Sequence, residues 1–190
     1  MHKRPILILL LAFGFASAGF AASWPEHPVL HAVRAVKSPV VDGDLSDAAW
    51  QSAPEFTDFT QHDPDDGKAP TMPTSIRIVY DDHAIYFGAK MTDPKSPTKV
   101  IFRRDNFSPQ SDFISINIDP QHDRLSGNAF TVTPANVQAD TVLYNDIGED
   151  GSWDGVWDSA VKIVPDGWVA EVRIPFSQLR FPDKPVHVWG

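Results

Sequence analysis

The sequence predicts an all-β protein, an antiparallel β-sandwich of jelly-roll type with one or two short helices. Three observations carry this. No segment keeps the 3.6-residue apolar period of an amphipathic helix, while several keep a period of two. Seventeen Pro and eleven Gly punctuate the chain at short intervals. Turn residues separate the alternating runs, and many short strands so spaced pack as a sandwich or barrel.

The chain opens Met1-His2-Lys3-Arg4 and runs apolar from Ile6 to Phe15. Small residues follow from Ala16 to Ala22, interrupted by Phe20. A basic head, a short apolar core and an A-x-A site predict a secretory signal peptide over 1–21, cleaved after Ala18 or Ala21. The apolar run is too short for a membrane anchor, which needs ~20 residues. The expectation is therefore an exported protein of the bacterial periplasm, outer membrane or cell surface. Removing 1–21 leaves 169 residues, enough for one domain with a core. It also removes two of the 16 basic residues and no acid, leaving 14 against 25 acids, a net charge of −11. So acidic a chain repels phosphate backbones, which argues against nucleic acid as a partner. There is no Cys, so stability must come from the core rather than from disulfides.

Residues 22–37 read as a lead-in strand and 38–190 as the sandwich. A short helix is predicted at Ser46–Gln51 with Ser46 as its cap. Ser75–Tyr80 places Ile76, Ile78 and Tyr80 on one face and Arg77 on the other. Ile85–Met91 sets Ile85, Phe87, Ala89 and Met91 against Tyr86, Gly88 and Lys90. Asp81-Asp82-His83 between them reads as a hairpin turn. Phe113–Asp119 sets Ile114, Ile116 and Ile118 against Ser115 and Asn117. Trp157–Val164 and Trp168–Ile174 flank Pro165-Asp166-Gly167, a second hairpin signal. A further helical turn is expected at Ser177–Leu179, and Asp58–Pro73, rich in Asp, Pro and Gly, as irregular chain. Val186-His187-Val188-Trp189-Gly190 reads as the start of a strand, which suggests a piece of a longer protein.

Several phrases together are similar to a known family. They are Val41-Asp42-Gly43-Asp44-Leu45-Ser46-Asp47-Ala48-Ala49-Trp50, Val79-Tyr80-Asp81-Asp82 with Ile85-Tyr86-Phe87, and Asp112 with Ile118-Asp119. The last is the run from Gly167 to Phe176 with Leu179-Arg180-Phe181. In this order the chain resembles the family 9 carbohydrate-binding module, a β-sandwich of the DOMON-like group, over about residues 38 to 190. The resemblance implies sugar binding, frequent attachment to glycoside hydrolases and, in some members, structural calcium. It is closest to a subgroup in which the module heads a long bacterial chain with a β-rich, outer-membrane-like remainder. That would make the downstream region a partner of this domain. Any O-glycosyl hydrolase activity in carbohydrate catabolism would belong there.

Sugar recognition needs an aromatic face for the apolar side of a pyranose and planar polar groups for its hydroxyls. Of the six Trp, Trp50, Trp157, Trp168 and Trp189 share apolar faces and read as core. Trp153 lies in the polar, glycine-rich segment from Gly148 to Gly155 and is either a ligand platform or a lid on the sandwich edge. The resemblance implies a clamp of two rings, for which Tyr144 and Phe107 are candidate partners of Trp153. By strand parity Asn117, Glu171 and Arg173 point away from the core. They would orient hydroxyls if they share one sheet face; otherwise they are ordinary solvated positions. Calcium candidates are Asp146, Glu149, Asp150 and Asp154, though no EF-hand order is present. The scattered His, without H-E-x-x-H or Cys, give no zinc motif.

No G-x-S-x-G, P-loop or dinucleotide fingerprint occurs, and the four Glu after residue 21 suggest no glycosidase pair. The first expectation is thus a non-catalytic module that holds a larger exported protein on polysaccharide. The alternative is a structural periplasmic or surface domain docked on an outer-membrane β-barrel without binding free sugar. A haem-binding relative, which the DOMON-like resemblance also implies, is the third; haem needs axial His or Met, and Met91, one of two Met after residue 21, lies on a core face.

Overall fold

Alternation builds two sheets. The computed structural model describes residues 28–106, 110–145 and 147–190. β1 (Val33–Arg34), β2 (Thr74–Tyr80), β3 (Ala84–Thr92), β8 (Asp158–Val164) and β9 (Gly167–Pro175) form a five-stranded sheet in the order β1-β2-β3-β9-β8. β4 (Ile114–Ile118), β5 (Ser126–Val132), β6 (Gln138–Tyr144) and β7 (Gly148–Asp150) form a four-stranded sheet in sequence order. Every pairing is antiparallel except that of β1, which runs parallel to β2.

The inner faces meet in the main core. Ile85, Phe87, Trp168, Ala170, Val172 and Ile174 come from the five-stranded sheet, and Ile116, Ile118, Phe130 and Val132 from the other. Trp157 and Leu179 join them from chain flanking the strands. Phe130 packs edge-on against Trp157 at 5.5 Å, a favoured aromatic geometry. Burying these side chains supplies the main driving force for the sandwich.

A second, smaller core covers the other side of the five-stranded sheet. Trp50, Ala49 and Ala53 from α1 (Ala48–Ser52) and its end pack on Val79, Ala84 and Tyr86. Gly88 makes this approach possible: a Cβ there would stand 2.7 Å from Leu45 Cδ2 and 3.1 Å from the Trp50 ring. β3 and β9 are consequently buried on both faces.

The structure departs from the sequence expectations in several places. The lead-in strand contracts, among the described residues, to Val33–Arg34. The helix is shifted and has Asp47, not Ser46, as its N-cap residue. The Asp47 side chain makes no cap bond and instead accepts from the Val40 N–H at 2.7 Å. The helical turn near 177 is a 3₁₀ turn at Phe176–Gln178. Gly148–Asp150, read as loop, pairs with β6 as a strand. Residues 186–189 form no assigned strand, but Gly190 exchanges both backbone hydrogen bonds with Asp119, at 2.8 and 3.0 Å. Among the described residues no helix is long and apolar enough to cross a membrane.

Candidate functional site

The two outer faces differ. On the five-stranded sheet, Glu171 projects away from the main core, as its parity requires, yet it is 0% exposed. The Asp42-Gly43-Asp44 turn folds over it. Glu171 Oε2 accepts the N–H groups of Asp42, Gly43 and Asp44 at 2.8, 2.6 and 3.3 Å, and Oε1 accepts Trp50 Nε1 at 2.7 Å. Gly43 adopts φ +84°, a conformation that glycine tolerates without a Cβ penalty. Burial pushes the Glu171 carboxyl above its ordinary pKa, and the four N–H donations pull it back. The expectation that Glu171 orients sugar hydroxyls is thereby corrected: it is the buried anchor of the covering segment. Arg173, next on the same face, is held by Asp158 at 2.9 Å and lies beside Tyr86.

Asn117 is on the outer face of β4, in the other sheet. A shared polar floor of Asn117, Glu171 and Arg173 does not exist, because the sandwich turns those faces in opposite directions. What Asn117 does share is a groove of about 290 Å³ across the outer face of the four-stranded sheet. Phe113, Ser115 and Asn117 line one side, Ala129, Thr131, Ala139 and Thr141 the floor, and Leu143 and Glu149 the far side. Register places them together: Ser115 faces Thr131, Ala129 faces Thr141, and Leu143 faces Glu149. Thr131 Oγ1 donates to Ser115 Oγ, and Ser115 Oγ to Asn117 Oδ1, each at 3.0 Å. This chain engages the Asn117 carbonyl, and among the described residues no acceptor is recorded for its NH₂. Phe113 is 50% exposed at the rim. An aromatic edge, small floor residues and a row of hydroxyl and amide groups can accept a flat, hydroxyl-rich ligand.

The remaining candidates lie elsewhere. Trp153 is partly buried against the main core and edge-on to Phe130 at 5.8 Å, where it closes the end of the sandwich. Tyr144 is 45% exposed at the end of β6, and among the described residues no ring contact joins it to Trp153. Phe107 and Asp146 lie outside the described residues. Asp150 accepts from the Ser152 N–H and hydroxyl at 2.9 and 2.6 Å, Asp154 pairs with Arg104 at 3.3 Å, and Glu149 faces the groove. Among the described residues no three His, Cys, Asp or Glu side chains are placed to share a metal ion. Glu149, Asp150 and Asp154 are thus not part of such a group among the described residues. Met91 packs against the main core.

Two further polar clusters are internally spent. Asp140, buried on the inner face of β6, accepts from Arg104, from Trp157 Nε1 at 3.0 Å and from the Gly155 N–H. Arg104 also donates to Gln138 and the Gly155 carbonyl, so its nitrogens are committed to holding the 151–157 segment. A depression of about 390 Å³ lies beside Arg34, Ser38, Asp81, Asp82 and His83. It is larger than the groove, but Arg34 pairs with Asp82 while Asp81 accepts from Ser38, Tyr86 and the His83 and Ala84 N–H groups. Phe113, Thr131 and Thr141 were not singled out by sequence reasoning. The signal that could have found them is the pairing of a β4-like run with small and hydroxylic residues on neighbouring strands.

The model of the family described as "Carbohydrate family 9 binding domain-like" matches residues 41–188. Among solved structures, a family 9 carbohydrate-binding module from Caldicellulosiruptor kristjanssonii in complex with cellotriose superposes with a TM-score of 0.54 at 23% identity. The match covers 81% of this chain and 68% of that one. A family 9 module from the same organism in complex with glucose gives 0.54 at 21% identity, over 84% and 75% of the two chains. A Bacteroides uniformis protein gives 0.60 at 11% identity, over 83% and 76%. At these identities the likeness is one of fold. No curated protein matches the chain in sequence.

Proposed function

Since the chain belongs to the carbohydrate family 9 binding domain-like family, we propose that it binds carbohydrate, without catalysis, along the outer face of its four-stranded sheet. One observation carries this location. Of the two outer faces, that of the five-stranded sheet is covered over its centre by α1 and the Asp42–Asp44 turn, while the other carries an open groove with Phe113 half-exposed beside Ser115, Asn117, Thr131 and Thr141. Stacking on Phe113 with a few hydrogen bonds gives affinity in about the micromolar range or weaker. Such affinity suits a module that keeps a larger protein near polysaccharide, where linkage to further domains raises the effective concentration. The test is a glycan-binding screen on the purified protein beside Phe113→Ala and Asn117→Ala. Saccharide binding that both substitutions weaken supports the site; silence across plant, algal and bacterial glycans from folded protein refutes the reading.

The N-terminal pattern of basic head, apolar run and small residues supports export to the periplasm, outer membrane or cell surface. Mass measurement of the protein recovered from cell fractions checks it; an intact Met1 terminus would count against it.

A second reading, a structural domain docked on an outer-membrane β-barrel, is favoured by one feature. Val186 and Val188 are 73% and 65% exposed, in a segment tied to Asp119 through Gly190. If this apolar pair docks, changing both to Ser will release the protein from outer-membrane fractions; unchanged fractionation rejects docking through this pair.

A further inference from the structure

The groove has a charge character that its proposed role leaves unread. Among its nine lining residues there is no Lys, Arg or His, and the one ionisable side chain is Glu149. Glu149 is exposed and stands opposite Leu143 on β7. Its neighbours in the groove offer hydroxyls, one amide and apolar surface. Among the described residues, no ion pair holds its carboxylate.

This composition discriminates between saccharide classes. A uronate, sulfate or phosphate ester needs cationic donors, best a guanidinium fork. Here an anionic sugar would meet Glu149 instead, on a protein of net charge −9, and would be repelled both locally and at long range. A neutral sugar meets no such obstacle. A sugar carrying a protonated amine gains a charge-assisted hydrogen bond to a carboxylate that, among the described residues, is in no ion pair.

Resting on the carbohydrate-binding reading, we infer that the groove selects amine-bearing saccharides over neutral ones and rejects anionic ones, with Glu149 as the group that reads the charge. Thr141 and Asn117 contribute neutral hydrogen bonds and carry no charge preference.

Titration calorimetry of the purified protein with three oligomers of equal length tests it: β-1,4-linked glucosamine, β-1,4-linked glucose and galacturonic acid. Mildly acidic buffer keeps the amine protonated, and low and high salt are compared. At low salt the glucosamine oligomer is expected to bind about fivefold tighter than the glucose oligomer, with the galacturonate oligomer weakest. High salt should shrink that ratio, and Glu149→Gln should collapse it towards one. Asp66→Asn, which removes the same formal charge outside the groove, should leave the ratio intact. Both variants alter exposed side chains and should stay folded by thermal unfolding. A galacturonate oligomer binding as tightly as the glucose oligomer overturns the inference. So does an amine preference that survives Glu149→Gln, because bulk charge would then be its source. Glucose-oligomer binding without any amine preference refutes this inference and leaves the carbohydrate reading standing. Failure of folded protein to bind any of the three refutes both for these sugars.

Discussion

The two sheets bury their inner faces against each other in the same manner, yet their outer faces have opposite fates. On the five-stranded sheet chain from the N-terminal side folds back over the central outward positions Val79, Tyr86, Gly88 and Glu171, while Arg77, Lys90, Lys162 and Arg173 around them are held in ion pairs. On the four-stranded sheet the outward positions are Ser115, Asn117, Ala129, Thr131, Ala139 and Thr141, and they line an open groove. The difference lies in what each face would leave unsatisfied. A bare Val79, Tyr86 and Gly88 would expose apolar surface and backbone, so covering them is favourable. Small and hydroxylic side chains satisfy themselves with water, so covering them gains little. The covered face thus serves stability, and the open one is where the proposed ligand would lie.

The sharpest way to break this comparison is at Glu171. Four N–H donors converge on it, and Glu171→Ala would leave those of Gly43 and Trp50 buried, and that of Asp42 part-buried, without this acceptor, while the Asp44 N–H keeps Asp42 Oδ1. The expected loss is about 3–5 kcal/mol in denaturant unfolding. A loss below about 1 kcal/mol would mean that the covering segment is held by its apolar contacts alone.

Gly88→Ala tests the same seal from beneath. The new methyl must displace Leu45 or Trp50, and Trp50 is rigid and fully buried. An overpacking cost of about 1–3 kcal/mol is expected, visible as a lower unfolding midpoint. Stability equal to the parent protein would show that the Asp42–Trp50 segment can lift off the sheet at little cost.

The covered face also has an acid-sensitive edge. Burial alone would raise the Asp81 carboxyl, but hydrogen bonds from Ser38, the His83 and Ala84 N–H groups and Tyr86 hold it well below its ordinary value of 3.8. Its folded pKa is depressed, so its contribution is complete above the unfolded value. It is lost as pH falls from there through the folded value. Asp81→Asn should cost about 1–2 kcal/mol at neutral pH, and the difference from the parent protein should shrink as pH falls below about 4. Unfolding curves at several acidic pH values check this; a gap that stays constant with pH would show that Asp81 acts through its shape rather than its charge.

How much of this was legible in the sequence follows the same division. β2, β3, β4, β8 and β9 alternate apolar and polar residues, and each was read within about two residues of its ends. β5 and β6 escaped because their inner faces carry Asn128 and Asp140 while their outer faces carry Ala129, Ala139 and Leu143. Polar residues inward and small apolar ones outward erase the period-two signal. The features that shape the groove therefore hid its strands, and of the residues the sequence singled out for sugar Asn117 lines the groove while Trp153, Glu171 and Arg173 lie elsewhere. For Glu171 the parity was read correctly. Burial depended on a second layer, set by the path of the Asp42–Trp50 segment, which strand alternation does not encode.

The smallest stability effect is expected where the functional effect is largest. Phe113→Ala removes a half-exposed ring from the groove rim, and Ala129→Leu raises the floor without touching the inner face. Both should change unfolding free energy by less than about 0.5 kcal/mol, as surface substitutions usually do. Loss of the ring should weaken saccharide binding by about 1 kcal/mol or more, and the raised floor should block it. Trp153→Ala gives the converse. It opens the end of the core beside Phe130, so it should cost about 2–3 kcal/mol of stability while leaving the groove in place. If binding follows Trp153 and ignores Phe113 and Ala129, the ligand sits at the end of the sandwich, and the open face must owe its exposure to something other than sugar.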